Sequence, residues 1–304
     1  MFDFIKFKYL FFFISLAYLI PGMIALGMWG LKPAIDFTGG AVLEVVFTGG
    51  KEKAGFAGGS SELKAFLFAK DIPVESVQSS GKNQYILRTK PMDDSRKNEI
   101  TKIMSDQYGP ITELRFETLG PTLGQETLVR AALAVVLGLL LIFIYIAYQF
   151  HDYVFGAAAI IATVHDGLVV LGSLSLLGHF FNVEVDVLFV TALLTTLSFS
   201  VHDTVVVYDR IRESVKHFPQ ASLETLVNKA SNETLVRSLN NSLTVVFMLT
   251  ALFLLGGPTI KWFSLTLLIG TITGTYSSVC TAAPLLVVWR DFIRKQLWKK
   301  KSGS

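Results

Sequence analysis

Cysteine is almost absent from this sequence: Cys280 is the single one in 304 residues, and it lies in an apolar run. A disulfide framework or a thiolate metal site within the chain is therefore excluded. Charge is scarce as well, at 17% of residues with a net value of +3. The basic residues cluster at the chain ends and in one loop, a pattern that reports membrane topology and not nucleic-acid binding. There is no Walker-type loop, no strand-linked GxGxxG and no HExxH. No serine or cysteine is paired with a base in a nucleophilic motif. An enzyme is the weakest reading, and no cofactor is expected.

What the chain has in abundance is apolar sequence. Hydrophobic residues make up 51% of it, and the mean hydropathy is +0.51. A soluble chain of this length would form about two domains; this composition points instead to a polytopic membrane protein. Residues 9–29 are nearly uncharged, long enough for one helix across a ~30 Å hydrocarbon layer. The run exceeds a signal-peptide core, which favours an uncleaved anchor over a cleaved leader. Residues 1–30 thus read as an N-terminus plus a first span, in which Pro21 and Gly22 are tolerated.

Residues 31–125 change character. Up to Glu117 they hold twelve Lys/Arg against twelve Asp/Glu. Residues 41–47 read as a Val-rich strand and 61–69 as a short helix. Residues 74–79 and 84–89 read as strands, joined by the turn chemistry of Ser80-Gly81-Lys82-Asn83. Residues 95–108 show helical periodicity through Ile100, Ile103 and Met104, stopped by Gly109-Pro110, and 111–119 form a last strand. The order β-α-β-β-α-β predicts a ferredoxin-like α+β domain between the first and second spans.

Residues 126–290 carry five more spans, at 128–148, 153–177, 185–207, 243–255 extended back through 239–241, and 263–289. The last holds Gly270 and Gly274 at GxxxG spacing, which lets helices approach closely. Six transmembrane helices put both termini on one side. Lys6, Lys8, Arg210, Arg212, Lys216 and the basic tail 291–304 lie there, whereas loop 178–184 has no basic residue and 256–262 has only Lys261. The positive-inside rule then predicts a multi-pass protein of the cell inner membrane with both termini cytoplasmic and the α+β domain outside. In the cytoplasmic loop 208–238, Leu223, Leu226, Val227 and Ala230 recur at i, i+3, i+4 and i+7. They suit either an amphipathic helix on the membrane surface or one packed on the ends of the spans.

Ionisable residues inside spans cost several kcal/mol and are functional candidates by default. Asp166 lies in the third span beside His165, with Gly156, Gly167 and Gly172 nearby. Asp203 lies in the fourth beside His202, just before a burst of charge. Arg237 sits with Asn240 and Asn241 at the start of the fifth. A buried Asp that alternately meets and loses an Arg can bind and release a proton, which makes Asp203, Arg237 and Asp166 a candidate proton relay. The simpler readings are a span that ends at Val201, interhelical hydrogen bonds that only hold the bundle together, and an arginine that snorkels. Three His-Asp dipeptides occur, at 151–152, 165–166 and 202–203. Adjacent helical residues point about 100° apart, so each pair offers one metal ligand at best, and no metal site is expected.

Four motifs then carry a resemblance. Ile35-Asp36-Phe37-Thr38-Gly39-Gly40 is similar to the IDFxGG motif of the SecD/SecF family, and His165-Asp166 to its HD element. The run from Ser200 through Asp203 to Asp209-Arg210-Ile211-Arg212-Glu213 resembles the SecF-side signature ending in DRIRE. Asn232-Glu233-Thr234, Arg237-Ser238 and Asn241-Ser242-Leu243-Thr244 resemble the motif at the fifth span. The match runs in order over nearly the whole chain. It implies an export accessory subunit of the resistance-nodulation-division superfamily that pairs with SecD. Using the proton motive force, it would assist preprotein translocation through the SecYEG channel. YidC and YajC are further implied partners; unfolded preprotein would be the substrate, the lipid bilayer the setting, and nucleic acid no partner. The resemblance makes Asp203 central to proton-driven movement and Arg237 its partner. One departure is His202, where the family usually has Asn. Two rivals remain: a proton-coupled small-molecule or lipid exporter of the same superfamily, and an assembly factor whose buried charges only join subunits.

Overall fold

The computed structural model describes residues 2–48, 59–81, 83–150 and 152–302. The chain divides into two compact units, Pro33–Ala132 and a second made of Met1–Lys32 with Leu133–Ser304.

In the unit Pro33–Ala132 a single helical turn, α2 (Ile35–Thr38), leads into β1 (Gly40–Phe47), α3 (Gly59–Ala69), β2 (Val74–Gly81), β3 (Gln84–Thr89), α4 (Asp94–Tyr108) and β4 (Ile111–Leu119). The strands form one sheet in the order β2-β3-β1-β4, with every pairing antiparallel. That is the ferredoxin-like arrangement expected from the element order. Strand alternation sends Leu43, Val45 and Phe47 to one face, where they pack with Leu63, Leu67, Leu87, Ile100 and Met104. Glu44 points to the other face and accepts a hydrogen bond from Gln84 Nε2 at 2.6 Å. The side chain of Asp93 caps α4 by accepting from the amide of Arg96, and Gly109 ends it with φ of 99°. Lys82 of the expected turn lies outside the described residues.

The motif 35–40 resolves into that helical turn, which periodicity did not announce. Gly39 and Gly40 leave it with φ of 72° and 126°, a region that favours glycine. A Cβ on Gly39 would stand 2.7 Å from Pro121 Cα, and one on Gly124 would stand 2.6 Å from Gly39 N. The glycines therefore let β1 begin directly against the segment that follows β4.

The other unit holds most of the long helices. Among the described residues six helices are long and apolar enough to cross a membrane: α1 (Lys8–Trp29), α5 (Pro121–Gln149), α6 (Tyr153–Phe181), α7 (Val187–His217), α8 (Leu223–Leu255), and a sixth built of α9 (Pro258–Ser277), a π-helical turn (Ser278–Ala282) and α10 (Ala283–Ser302). Asp152, Asp186 and Ser222 cap α6, α7 and α8 by accepting from backbone amides, as short polar side chains at N-caps do. α6 and α7 supply much of the interior. Glycine seams bring helices together: Gly22 of α1 meets Gly172 of α6, while Gly270 and Gly274 of α9 face Thr196 and Ser200 of α7. The GxxxG spacing thus faces a hydroxyl-bearing partner within the chain.

Two expectations need correction, and one pair of alternatives is decided. The loop 208–238 is almost wholly helical: α7 runs on to His217, and α8 starts at Leu223. Of the two readings of the amphipathic segment, the packed helix holds and the separate surface helix does not. The segment is the first third of α8, and its Leu226, Val227 and Ala230 are buried; Val227 and Ala230 join a cluster with Phe4, Ile5, Tyr208 and Ile211. Burial of that stripe outweighs membrane-surface binding because the neighbouring helix ends offer a packed apolar surface. Likewise the tail expected over 291–304 continues the sixth helix to Ser302.

Candidate functional site

Asp203 is half-buried on α7. Its Oδ2 accepts a hydrogen bond from Ser238 Oγ of α8 at 3.1 Å. Around it Phe199, Asn241, Ser242, Thr271, Gly274 and Thr275 line a narrow cleft where α7, α8 and α9 meet. Thr275 Oγ1 donates to Ser242 Oγ at 2.6 Å, joining the two helices that flank the carboxylate. The helix does not end at Val201: α7 continues four turns beyond it. His202 is exposed.

Arg237 is not at Asp203. It is exposed and lines a shallow pocket with Val206, Asp209, Arg210, Glu213, Glu233 and Thr234. Arg210 occupies that pocket's ion pairs: its Nε meets Glu233 and its Nη1 meets Glu213, both at 2.5 Å. Asp209 pairs with Arg212 at 3.2 Å and accepts from Gln149 of α5 at 3.4 Å. The Asp209-Arg210 motif therefore ties α7 to α8 and α5 at the end of the bundle where the chain begins. Exposed pairs of this kind add little to stability; their use is positional.

Among the described residues the most enclosed carboxylate is Asp166, only 3% exposed. Its Oδ2 accepts from Ser200 Oγ of α7 and from Ser277 Oγ of α9, both at 2.5 Å. Its Oδ1 faces Nδ1 of His165 at 2.8 Å. His165 is itself buried, and its Nε2 has no partner among the described residues. Neither serine was singled out as a partner of Asp166 from the sequence. Ser200 opens the fourth-span motif, three residues before Asp203, so a helical-face argument could have found it. Ser277 carries no local signal.

Of the remaining candidates, Asp36, Gly39 and Gly40 belong to the unit Pro33–Ala132. Among the described residues no three His, Cys, Asp or Glu side chains cluster as metal ligands. His151, of the first His-Asp dipeptide, lies outside the described residues. Asp152 caps α6 and also pairs with Arg290 of α10.

Comparison with known proteins agrees with this architecture. A family model described as protein export membrane protein SecD/SecF, C-terminal, matches residues 99–291. The protein translocase subunit SecF of Anaerolinea thermophila is 41% identical, with 93% of this chain and 92% of that protein covered. SecF of Thermobaculum terrenum is 40% identical, with 97% and 96% covered. The crystal structure of SecDF from Thermus thermophilus, a translocon-associated membrane protein, superposes with a TM-score of 0.83 at 32% identity. That match covers 95% of this chain and 39% of the SecDF chain.

Proposed function

This chain belongs to the SecD/SecF family of protein-export membrane proteins, and we propose that it acts as a SecF-type subunit that helps move preprotein through the Sec channel. SecD is the expected partner, because the chain aligns with little more than a third of SecDF. SecYEG, YidC and YajC complete the proposed assembly in the cell inner membrane. Both termini would be cytoplasmic, which the basic residues at that end of the bundle support. The α+β domain would then meet unfolded preprotein on the far side.

The proposed driving force is the proton motive force, with Asp203 as the relay carboxylate and Arg237 as its alternate partner. The observation that carries this is the contact of Asp203 with Ser238 in the polar cleft between α7, α8 and α9. Arg237 immediately precedes Ser238 on α8, about 100° around the helix. Rotation of α8 by roughly that angle would exchange a hydroxyl for a guanidinium at Asp203. One charge crossing 100 mV is worth about 2.3 kcal/mol, comparable with a conformational bias of a few kcal/mol. A proton taken up by Asp203 would remove the charge that holds the guanidinium, and its release would restore it.

The test is Asp203→Asn, co-reconstituted with SecD and SecYEG in vesicles that carry a proton gradient. Intact complexes with export that no longer responds to the gradient are expected. Normal gradient-dependent export would refute the relay, and disassembled complexes would favour the assembly-factor reading.

A further inference from the structure

Asp166 and the π-helical turn form a second device. Three side chains hold that turn from three different helices. Ser277, its first flanking residue, donates to Asp166 of α6. Thr281 inside the turn shares a 3.0 Å hydrogen bond with Ser15 of α1. Tyr208 of α7 donates its hydroxyl to the carbonyl of Ala282 at 2.9 Å. A π-turn perturbs the α-helical carbonyl ladder, and the Tyr208 hydroxyl bonds a carbonyl within this segment.

We propose that Asp166 is a second proton-binding carboxylate of the bundle, and that its protonation controls the π-turn of the sixth span through Ser277. This deepens the proton-driven reading above and takes its purpose from it. As an anion Asp166 has donors on both oxygens: two serine hydroxyls at Oδ2 and the His165 ring at Oδ1. An added proton on Oδ2 turns that oxygen into a donor, so one serine must stop donating to it. Ser277 already has a second acceptor, the carbonyl of Gly274 at 3.2 Å. That same carbonyl takes the amide of Ser278, the α-type bond bordering the π-turn. Protonation thus swings the Ser277 hydroxyl onto Gly274 and sets it against that backbone bond. No atom is gained or lost beyond the incoming proton, which rests on Asp166; Ser277 keeps its own hydrogen and only rotates.

The ionisable groups around this node are few. His165 lies on the same helix. Tyr208 and Asp203 lie on α7, Tyr18 on α1, and Tyr276 and Cys280 on the sixth span. Asp203 bonds to α8, Tyr276 donates to the carbonyl of Phe11, and Tyr208 to that of Ala282. Among the described residues, His165 is the one ionisable side chain hydrogen-bonded to Asp166.

The experiment uses the full chain in lipid nanodiscs. Infrared difference spectra between neutral and acidic buffer report the carbonyl stretch of protonated carboxylic acids. The band of a buried acid should be lost in Asp166→Asn and retained in Asp203→Asn. Backbone amide exchange of residues 274–283, corrected for its intrinsic pH dependence, should change with pH in the natural chain and lose that dependence in Ser277→Ala. Should Asp166→Asn fail to fold, Asp166→Glu replaces it and should shift the band. A spectrum unaltered by substitution at 166 would overturn the proposal, as would pH-independent exchange of this segment in the natural chain. Neither readout involves export, so a failure here is distinguishable from a failure of the Asp203 relay.

Discussion

Gly172→Ala should loosen the contact between α1 and α6, and the structure sets how much. A Cβ on Gly172 would stand 2.6 Å from Gly22 Cα and 2.8 Å from its carbonyl carbon. Carbon atoms attract best at about 3.5–4.0 Å, so the two backbones would have to part by roughly 1 Å. Both obstructing atoms are main chain and cannot rotate away. A gap of that size forfeits between a quarter and a half of the dispersion well for every contact along the seam. Overpacking of this kind costs about 1–3 kcal/mol, against a helix-propensity gain of about 0.5–1 kcal/mol for replacing glycine. The reverse substitution is milder. A Cβ on Gly22 meets Gly172 Cα at 3.1 Å, so Gly22→Ala asks for a shift of a few tenths of an ångström and should stay within about 1 kcal/mol of the natural chain.

Gly27 supplies the control, because a Cβ there meets nothing within 4 Å. Equilibrium unfolding of the three single variants in mixed micelles should rank Gly172→Ala as the least stable, then Gly22→Ala, with Gly27→Ala unchanged or slightly more stable. Cysteine cross-linking between α1 and α6 should weaken in the same order. Gly172→Ala matching Gly27→Ala in stability would refute the close-approach argument.

Two other outcomes follow from the same geometry. Asp152→Ala should cost more than Arg290→Ala by about 1 kcal/mol, because Asp152 both pairs with Arg290 and caps α6, whereas Arg290 loses a half-exposed ion pair worth about 1 kcal/mol or less; unfolding midpoints of the two variants decide it. In the α+β domain, burial and then the nearby charge of Glu62 push the phenols of Tyr85 and Tyr108 above their ordinary value. A raised native value means stability that is complete below the unfolded pKa of about 10 and is lost as pH rises beyond it. Alkaline titration of the full chain should therefore show tyrosinate absorbance lagging behind that of a free phenol, and equal titration would contradict the burial.

The α+β domain was legible because each of its elements advertises itself locally. β3 is bounded by turn residues, α4 is stopped by Gly109, and the apolar alternation of β1 matches its register with β3 residue for residue. The helix α2 was not legible, since a single turn has no period, and Gly39 and Gly40 reveal their use only once Pro121 and Gly124 are seen against them. In the bundle the spans were visible from hydropathy, but their ends were not. Charge in 208–217 and 223–237 reads as loop, yet helices that project past an apolar layer keep their backbone hydrogen bonds and simply become polar outside. The π-turn left no trace either: Ser277-Ser278-Val279-Cys280 is ordinary span sequence, and the contacts that hold it come from α1, α6 and α7.

The site shows the same division more sharply. Cost in the membrane singled out Asp166 and Asp203, because that argument needs only a carboxylate in an apolar run. It could not rank them. Asp203 drew attention through its nearness to Asp209-Arg210, but nearness to a helix's charged end goes with partial exposure, and Asp203 is the shallower of the two. Asp166 has no charged flank, so burial leaves it dependent on hydroxyl donors. They come from 34 and 111 residues away in the chain, separations over which no sequence period operates. Gly274 is what allows them to converge: with a Cβ it would press at 3.2 Å on the Cα and Cβ of Ser200. The glycine that reads as half of a packing motif therefore also lets the donors from α7 and the sixth span reach one oxygen. Helix packing and the buried carboxylate are in this place a single constraint, and a bulkier residue at 274 would disturb both together.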